Sequence, residues 1–357
     1  MVFIEQPAGV GFSTVAPGAG PVAYGDAQCA DDNYAFVRGF FERFPAYNAS
    51  DFYLTSESYG GHYLPTLTTE ILARGGVPNF KGMAVGNPLT DMAYRNYGQF
   101  GTWWNHQLVP KPMWDEYLAA GCKTDDPANP SDACAKVTNA MAPLVAHLNP
   151  YGLDFPICPA SSGPPAAGDA GATTHDAMAA LLARVGGTSG YWPSNYNACF
   201  SGDTATYLNR QDVRAALHVS EQAMNVTWAD CNMAINQGYS AKDVLKPMLP
   251  LYQKLLASTG AGLSLLVYSG DDDSVCATLG TQQWLWDIGA AHGVASAWAP
   301  WTTAAGGGGQ VGGYHVAFGG SAATLHFASV HGAGHMVPQT RPQQALEVLQ
   351  KFLSGEW

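Results

Sequence analysis

Three groups far apart in the chain could form one catalytic relay: a serine at 58, an aspartate at 273 and a histidine at 335. Ser58 stands in the run Ser56-Glu57-Ser58-Tyr59-Gly60-Gly61, directly after the apolar run Phe52-Tyr53-Leu54. This pattern predicts a strand that turns sharply into a helix with the serine at the apex. Such a turn lifts the hydroxyl out of the backbone and aims the Tyr59 N–H at the same space. Glycine at 60 allows strand and helix to cross closely. A hydroxyl is a weak nucleophile until an adjacent base takes its proton. The reading therefore needs a histidine and a carboxylate from elsewhere.

Both occur downstream, each after an apolar run. Ser264-Leu265-Leu266-Val267-Tyr268-Ser269-Gly270 leads into Asp271-Asp272-Asp273. Thr324-Leu325-His326-Phe327-Ala328-Ser329-Val330 leads into His331-Gly332-Ala333-Gly334-His335-Met336-Val337-Pro338. Continuous apolar runs predict buried parallel strands, and such sheets place their chemistry at the C-terminal strand ends. The chain order Ser, Asp, His is that of α/β-hydrolases and differs from the orders of other serine hydrolases. His331 and His335 also have the spacing of a zinc pair on a helix. Glycines at 332 and 334 oppose that helix, and no glutamate lies between the histidines, so no metal is expected. His62 is expected to be a structural, hydrogen-bonded histidine, and Asp271 to cap a turn.

The three loops resemble those of serine carboxypeptidases: a Glu-Ser-Tyr elbow, a Gly-Asp-x-Asp-x-x-Cys loop and a Gly-His-Met-Val-Pro loop. Further matches lie at Glu5–Ser13, Gly86-Asn87, and Tyr207–Arg210 with Val213. The resemblance implies Ser58 as nucleophile, His335 as general base and then acid, and Asp273 as the group that orients the imidazole. It implies the Tyr59 amide as an oxyanion donor, worth about 3 kcal/mol in the transition state. It implies Glu57 as a partner for the substrate's terminal carboxylate. Glu57 can do that only as a protonated donor, hence a raised pKa and an acidic working range. Cys276 and Met336 match positions that line the leaving-residue pocket.

The chain departs from the family pattern in places. Ser56 stands where the family has glycine, and Pro88 follows Gly86-Asn87. A Gly-Pro-Gly-Cys segment that supplies a second oxyanion donor is missing upstream. Met1-Val2-Phe3-Ile4 reads as a strand already in progress, so an N-terminally truncated chain is expected. There are seven cysteines. Sequence alone leaves their pairing open, with reduced buried thiols as the alternative to disulfides. The resemblance pairs Cys122 with Cys134 and Cys158 with Cys199. It leaves Cys231 without its partner and Cys276 as a free thiol beside the triad, and does not place Cys29.

At 357 residues, 47% of them hydrophobic and 12% charged, the chain can bury one large core. A net charge of −12 argues against nucleic acid and acidic membranes as partners. No apolar run approaches the roughly 20 residues that span a bilayer. Disulfides and the sequons at Asn48 and Asn225 point to the secretory pathway, with lysosome, vacuole or exterior as destination.

The expected architecture is α/β: a mostly parallel α/β-hydrolase sheet flanked by helices, with a cysteine-containing cap insertion. Residues 1–105 carry the elbow, 106–200 the cap, and 201–357 the catalytic Asp and His. Helices are expected at His62–Ala73, Gln211–Val219, Thr281–Ala291 and from Pro342. The glycines at 306–309 form a surface turn rather than a phosphate loop. The expected activity is release of C-terminal residues from peptides with a free C-terminus, without metal or cofactor. The alternatives are acyl transfer by the same triad and an inactive remnant.

Overall fold

The computed structural model describes residues 1–16, 18, 22–158, 198, 200–258, 262–319 and 323–357. Six strands form one sheet: β1 (Phe52–Glu57), β2 (Phe80–Gly86), β3 (Leu263–Gly270), β4 (Val294–Thr303), β5 (Gln310–Gly319) and β6 (Ala323–Val330). Their spatial order is β1-β2-β3-β6-β5-β4. The first four in that order run parallel, and β5 and β4 continue the sheet antiparallel. This is the mostly parallel sheet expected from the apolar runs.

The register brings the three chemical loops to one edge. Glu57 lies beside Gly86, Gly86 beside Tyr268, and Gly270 beside Val330. The chains leaving β1, β3 and β6 therefore emerge together. Helices cover both faces because strand side chains alternate between them. Met83, Val85, Leu265, Val267, Leu325 and Phe327 point to one face, against Leu64, Leu67 and Ile71 of the helix Gly60–Arg74 and Trp284 and Leu285 of the helix Thr278–Gly289. Ala84, Leu266, Ala328 and Val330 point to the other, against Val348 and Phe352 of the helix Pro342–Ser354. Each large apolar side chain buried this way stabilises the fold by about 1.5–3 kcal/mol.

Several expectations need correction. Met1–Ile4 is not a strand: these residues have no sheet partners, and their side chains are exposed. The hairpin β4–β5 was not expected. Its β4 is irregular in register, mostly exposed, and contains Pro300, which an edge strand accepts because it need not donate on its outer side. The turn between the two strands does hold Gly306–Gly309, all four with positive φ. The C-terminal helix starts at Pro342 as expected, but of Ala345, Leu346, Leu349 and Phe352, which its sequence puts on one apolar face, Leu346 is 54% exposed; the fully buried pair is Val348 and Phe352.

Residues 106–158 add no strand. The helices Lys111–Ala119 and Asp132–Val145 pack with Trp103 and Tyr117 around the disulfide Cys122–Cys134. That pairing matches the expectation. Cys158 is also disulfide-bonded, and its expected partner Cys199 lies outside the described residues. Cys231 is free and exposed; Cys29 and Cys276 are free and buried. Asn48 and Asn225 are both exposed. Among the described residues no helix is long and apolar enough to cross a membrane.

Candidate active site

Ser58 sits between β1 and the helix Gly60–Arg74 with φ +57°. Left-handed backbone costs a residue with a side chain about 1–2 kcal/mol, so the surroundings must impose it. Three hydrogen bonds do so. Ser58 N–H donates to the Gly86 carbonyl at 2.9 Å, and the Ser58 carbonyl accepts from Gly61 N–H at 2.9 Å and Leu89 N–H at 2.8 Å. The Tyr59 N–H, next in the chain, has no protein acceptor among the described residues. It is left free at the apex of the turn, where an oxyanion donor is needed.

Asp273 and His335 meet at the ends of β3 and β6. His335 Nδ1 lies 2.7 Å from Asp273 Oδ2, and the two residues are 3% and 0% exposed respectively. A carboxylate can only accept, so Nδ1 carries the proton and Nε2 keeps its lone pair for the opposite side. Asp273 is further held by Asn87 Nδ2 at 2.9 Å, Cys276 N–H at 3.1 Å and Val275 N–H at 2.7 Å. Four donors on one buried carboxylate satisfy its oxygens and fix its orientation. The Cys276 thiol shares a hydrogen bond with Ser58. Cys276 thus touches Ser58 with its side chain and Asp273 with its backbone, and so links Ser58 to the Asp273–His335 pair. Burial, then the charge of Asp273, pushes that thiol up to about 12, so it stays protonated.

The crossing of the two loops depends on Gly270. A methyl group there would come within 2.3 Å of the carbonyls of Ala333 and Gly334. A strap at 149–155 binds both loops from outside. Its Pro150 carbonyl accepts from Ser274 N–H and Oγ, Leu153 N–H donates to the Asp272 carbonyl, and its Tyr151 carbonyl accepts from His335 N–H at 2.7 Å. The Tyr151 ring meets the imidazole edge-on at 5.2 Å between centroids. His331, the other histidine of the loop, pairs with Asp271, which also accepts from Gly332 N–H at 2.7 Å. Asp271 thus ties two loops rather than capping a local turn.

Beneath the elbow lies a second acid–histidine pair. Asp26, 4% exposed, accepts from Tyr59 Oη at 3.0 Å and Tyr239 Oη at 2.8 Å, and bonds His62 Nδ1 at 2.9 Å. Tyr59 stacks flat on His62 at 4.4 Å. Burial alone would raise the Asp26 pKa, but His62 and the two phenols outweigh it and hold the carboxyl below its usual range. His62 is therefore the structural histidine expected, and Cys29 finds its place here, its Sγ 3.6 Å from Tyr239 Oη.

Glu57 remains open to solvent on one side, yet enough protein crowds it that desolvation raises its pKa. The charge of His335 opposes this rise and that of Asp273 adds to it, which places Glu57 close to both. Met336, half-buried, follows His335 and opens a short helical turn. Sequence reading assigned no role to Asn87, Tyr151 or Asp26. For Asn87 a signal existed: an amide directly after a strand end, beside the other chemical loops. Tyr151 and Asp26 carry no motif of their own.

A family model described as serine carboxypeptidase matches residues 1–355. Serine carboxypeptidase-like 33 of Arabidopsis thaliana is 34% identical, over 100% of this chain and 72% of that protein. Serine carboxypeptidase II-1 of Hordeum vulgare is 30% identical, over 93% of this chain and 94% of that protein. The solved structure of Kex1Δp, a prohormone-processing carboxypeptidase from Saccharomyces cerevisiae, superimposes with a TM-score of 0.69. It covers 99% of this chain and 73% of that one; at 18% identity the likeness speaks for the fold alone.

Proposed function

The chain belongs to the serine carboxypeptidase family, and from that premise we propose that it releases C-terminal amino acids from peptides through an acyl-enzyme on Ser58. The observation that carries the reading is the buried Asp273–His335 bond of 2.7 Å beside a serine held at φ +57°. His335 Nε2 takes the Ser58 proton as Oγ attacks the scissile carbonyl, and Asp273 stabilises the imidazolium. The carbonyl oxygen gains negative charge and meets the Tyr59 N–H. His335 then hands its proton to the leaving amine, and the C–N bond breaks. Water, deprotonated by the same imidazole, releases the acyl group and restores Ser58. Glu57, kept protonated by its crowded position, donates to the leaving residue's carboxylate, which favours acidic pH. The cycle uses side chains and backbone alone. A disulfide and two exposed sequons support a secretory route, to lysosome, vacuole or exterior.

The test pairs a serine-directed phosphonate with peptide release. Wild type should label on Ser58 and free the terminal residue at pH 4–5, and Ser58→Ala should do neither. Labelling without release, with product appearing on an added alcohol acceptor, would assign acyl transfer instead. No labelling of folded protein would mark an inactive chain.

A further inference from the structure

Arg95 is a cation placed at the catalytic loop with no carboxylate partner among the described residues. It lies in the first turn of the helix Met92–Asn105, whose N-cap is Asp91. Its Nε donates to the Val275 carbonyl at 2.9 Å, and its Nη1 to Asn96 Oδ1 at 3.1 Å. Val275 is the residue whose own N–H holds Asp273 Oδ1. The guanidinium is thereby fixed against the turn that carries the catalytic carboxylate. Its charge also reaches Cys276 and Tyr151, easing both against the upward pull of burial. Cys276 touches Ser58, and Tyr151 touches His335. Arg95 therefore acts through its charge on two side chains that contact Ser58 and His335.

Other arginines here are spent differently. Arg38, Arg74 and Arg210 each hold a carboxylate. Buried Arg214 is saturated by the carbonyls of Leu208, Met224 and Val226 and by Asn209 Oδ1. Arg95 is half-buried, meets no carboxylate among the described residues, and uses two of its five N–H groups. A brace for Val275 needs only the Nε. The unused fork has the shape that binds a carboxylate in two parallel bonds. In a chain with a net charge of −12, whose site already holds the Asp273 carboxylate, an unpaired cation is the group that makes an anionic substrate acceptable.

We propose that Arg95 receives a carboxylate of the departing C-terminal residue, either its α-carboxylate or an acidic side chain. The proposal rests on the peptidase reading above and deepens it. Binding is measured by titration calorimetry on Ser58→Ala, which turns nothing over, using N-acyl dipeptides ending in leucine, in glutamate and in leucine amide. Adding Arg95→Gln should weaken at least one acid about 10- to 100-fold and leave the amide unchanged. Equal loss for both acids assigns the α-carboxylate; loss for glutamate alone assigns the side chain. Acid and amide weakening alike would reduce Arg95 to a brace and overturn the proposal, as would no change for any of the three. Arg95→Lys keeps the charge and should recover part of the lost affinity. If wild type releases no residue while the acids still depend on Arg95, the peptidase reading falls and the carboxylate site stands.

Discussion

A side chain at Gly60 would collide with Ser56: its Cβ would lie 2.4 Å from Ser56 Oγ and 2.6 Å from Ser56 Cβ. The two positions face each other across the elbow, one in the last residues of β1 and the other opening the helix. Serine carboxypeptidases usually have glycine at the position of Ser56, and the extra side chain here occupies space that Gly60 leaves empty. The pair should behave as a unit. Gly60→Ala is expected to shift Ser58 and to cut phosphonate labelling and stability, the latter by about 1–3 kcal/mol. Adding Ser56→Gly should return most of both. Labelling rates and urea midpoints across the double-mutant cycle measure the coupling. Additive effects would show that the two side chains do not compete for one space.

Asn87 braces the loop that carries Asp273. It is fully buried, takes the left-handed conformation (φ +38°) that asparagine tolerates better than most residues, and spends its amide on Gly270 and Asp273. Nδ2 holds Asp273, and Oδ1 accepts Gly270 N–H at 2.9 Å. Asn87→Ala leaves Gly270 N–H buried without a partner, which costs about 1–3 kcal/mol. It also frees one edge of Asp273. The expected result is a kcat lowered about tenfold or more, with KM little changed, since the loss acts through the imidazole's partner. Steady-state kinetics on one peptide decide it, and a rise confined to KM would place Asn87 in substrate binding instead.

The acid range of the proposed activity turns on Glu57. Desolvation lifts its pKa above the usual carboxylate range, so the proton persists into mildly acidic solution and is lost as pH rises through the raised value. Donation to a substrate carboxylate is therefore strongest at low pH. Glu57→Gln is a donor at every pH. Between pH 4 and 8 the wild-type kcat/KM should fall along a limb that the glutamine variant lacks. Parallel profiles would mean that another group sets that limb.

How much of this could be read beforehand follows from the range of each interaction. The elbow, Asp273 and His335 were legible because each sits in a local pattern, an apolar strand run followed by a loop of fixed chemistry. The strap at Tyr151 and the clamp at Asp26 were not. Their work is done through contacts with residues more than a hundred positions away, such as Asp272 and Tyr239, and nothing in their own neighbours' sequence marks it. The hairpin β4–β5 escaped for a different reason. An exposed edge strand carrying a proline lacks the alternation by which strands are recognised. Ser56 was legible as an oddity, but its accommodation needs the distance to Gly60.

Asp272 supplies a stability switch distinct from the catalytic chemistry. It is 3% exposed and lies among like charges, with Asp154, Asp271 and Asp273 around it. Asp271 and Asp273 each pair closely with a histidine, while among the described residues the Asp272 carboxylate accepts the Asp154 N–H, at 3.1 and 3.2 Å, and has a His106 ring nitrogen within 4.8 Å. Burial first, then those charges, pushes its pKa up to about 7. In the unfolded chain it would titrate near about 4. Below that value both states are protonated and the residue costs nothing. From pH 4 to 7 the unfolded chain ionises while the folded one does not, so stability falls as pH rises; above 7 the loss levels off. At about 1.4 kcal/mol per unit the ceiling is about 4 kcal/mol, and loop hydration should bring it nearer 2. Asp272→Asn keeps an oxygen for the Asp154 N–H and cannot ionise. Its thermal midpoint should match wild type at pH 4 and exceed it by several degrees at pH 8. Equal midpoints at pH 8 would show that Asp272 ionises in the folded state without penalty. That would require the strap at 149–155 to open and admit water, which amide exchange at Leu153 and Asp154 would report.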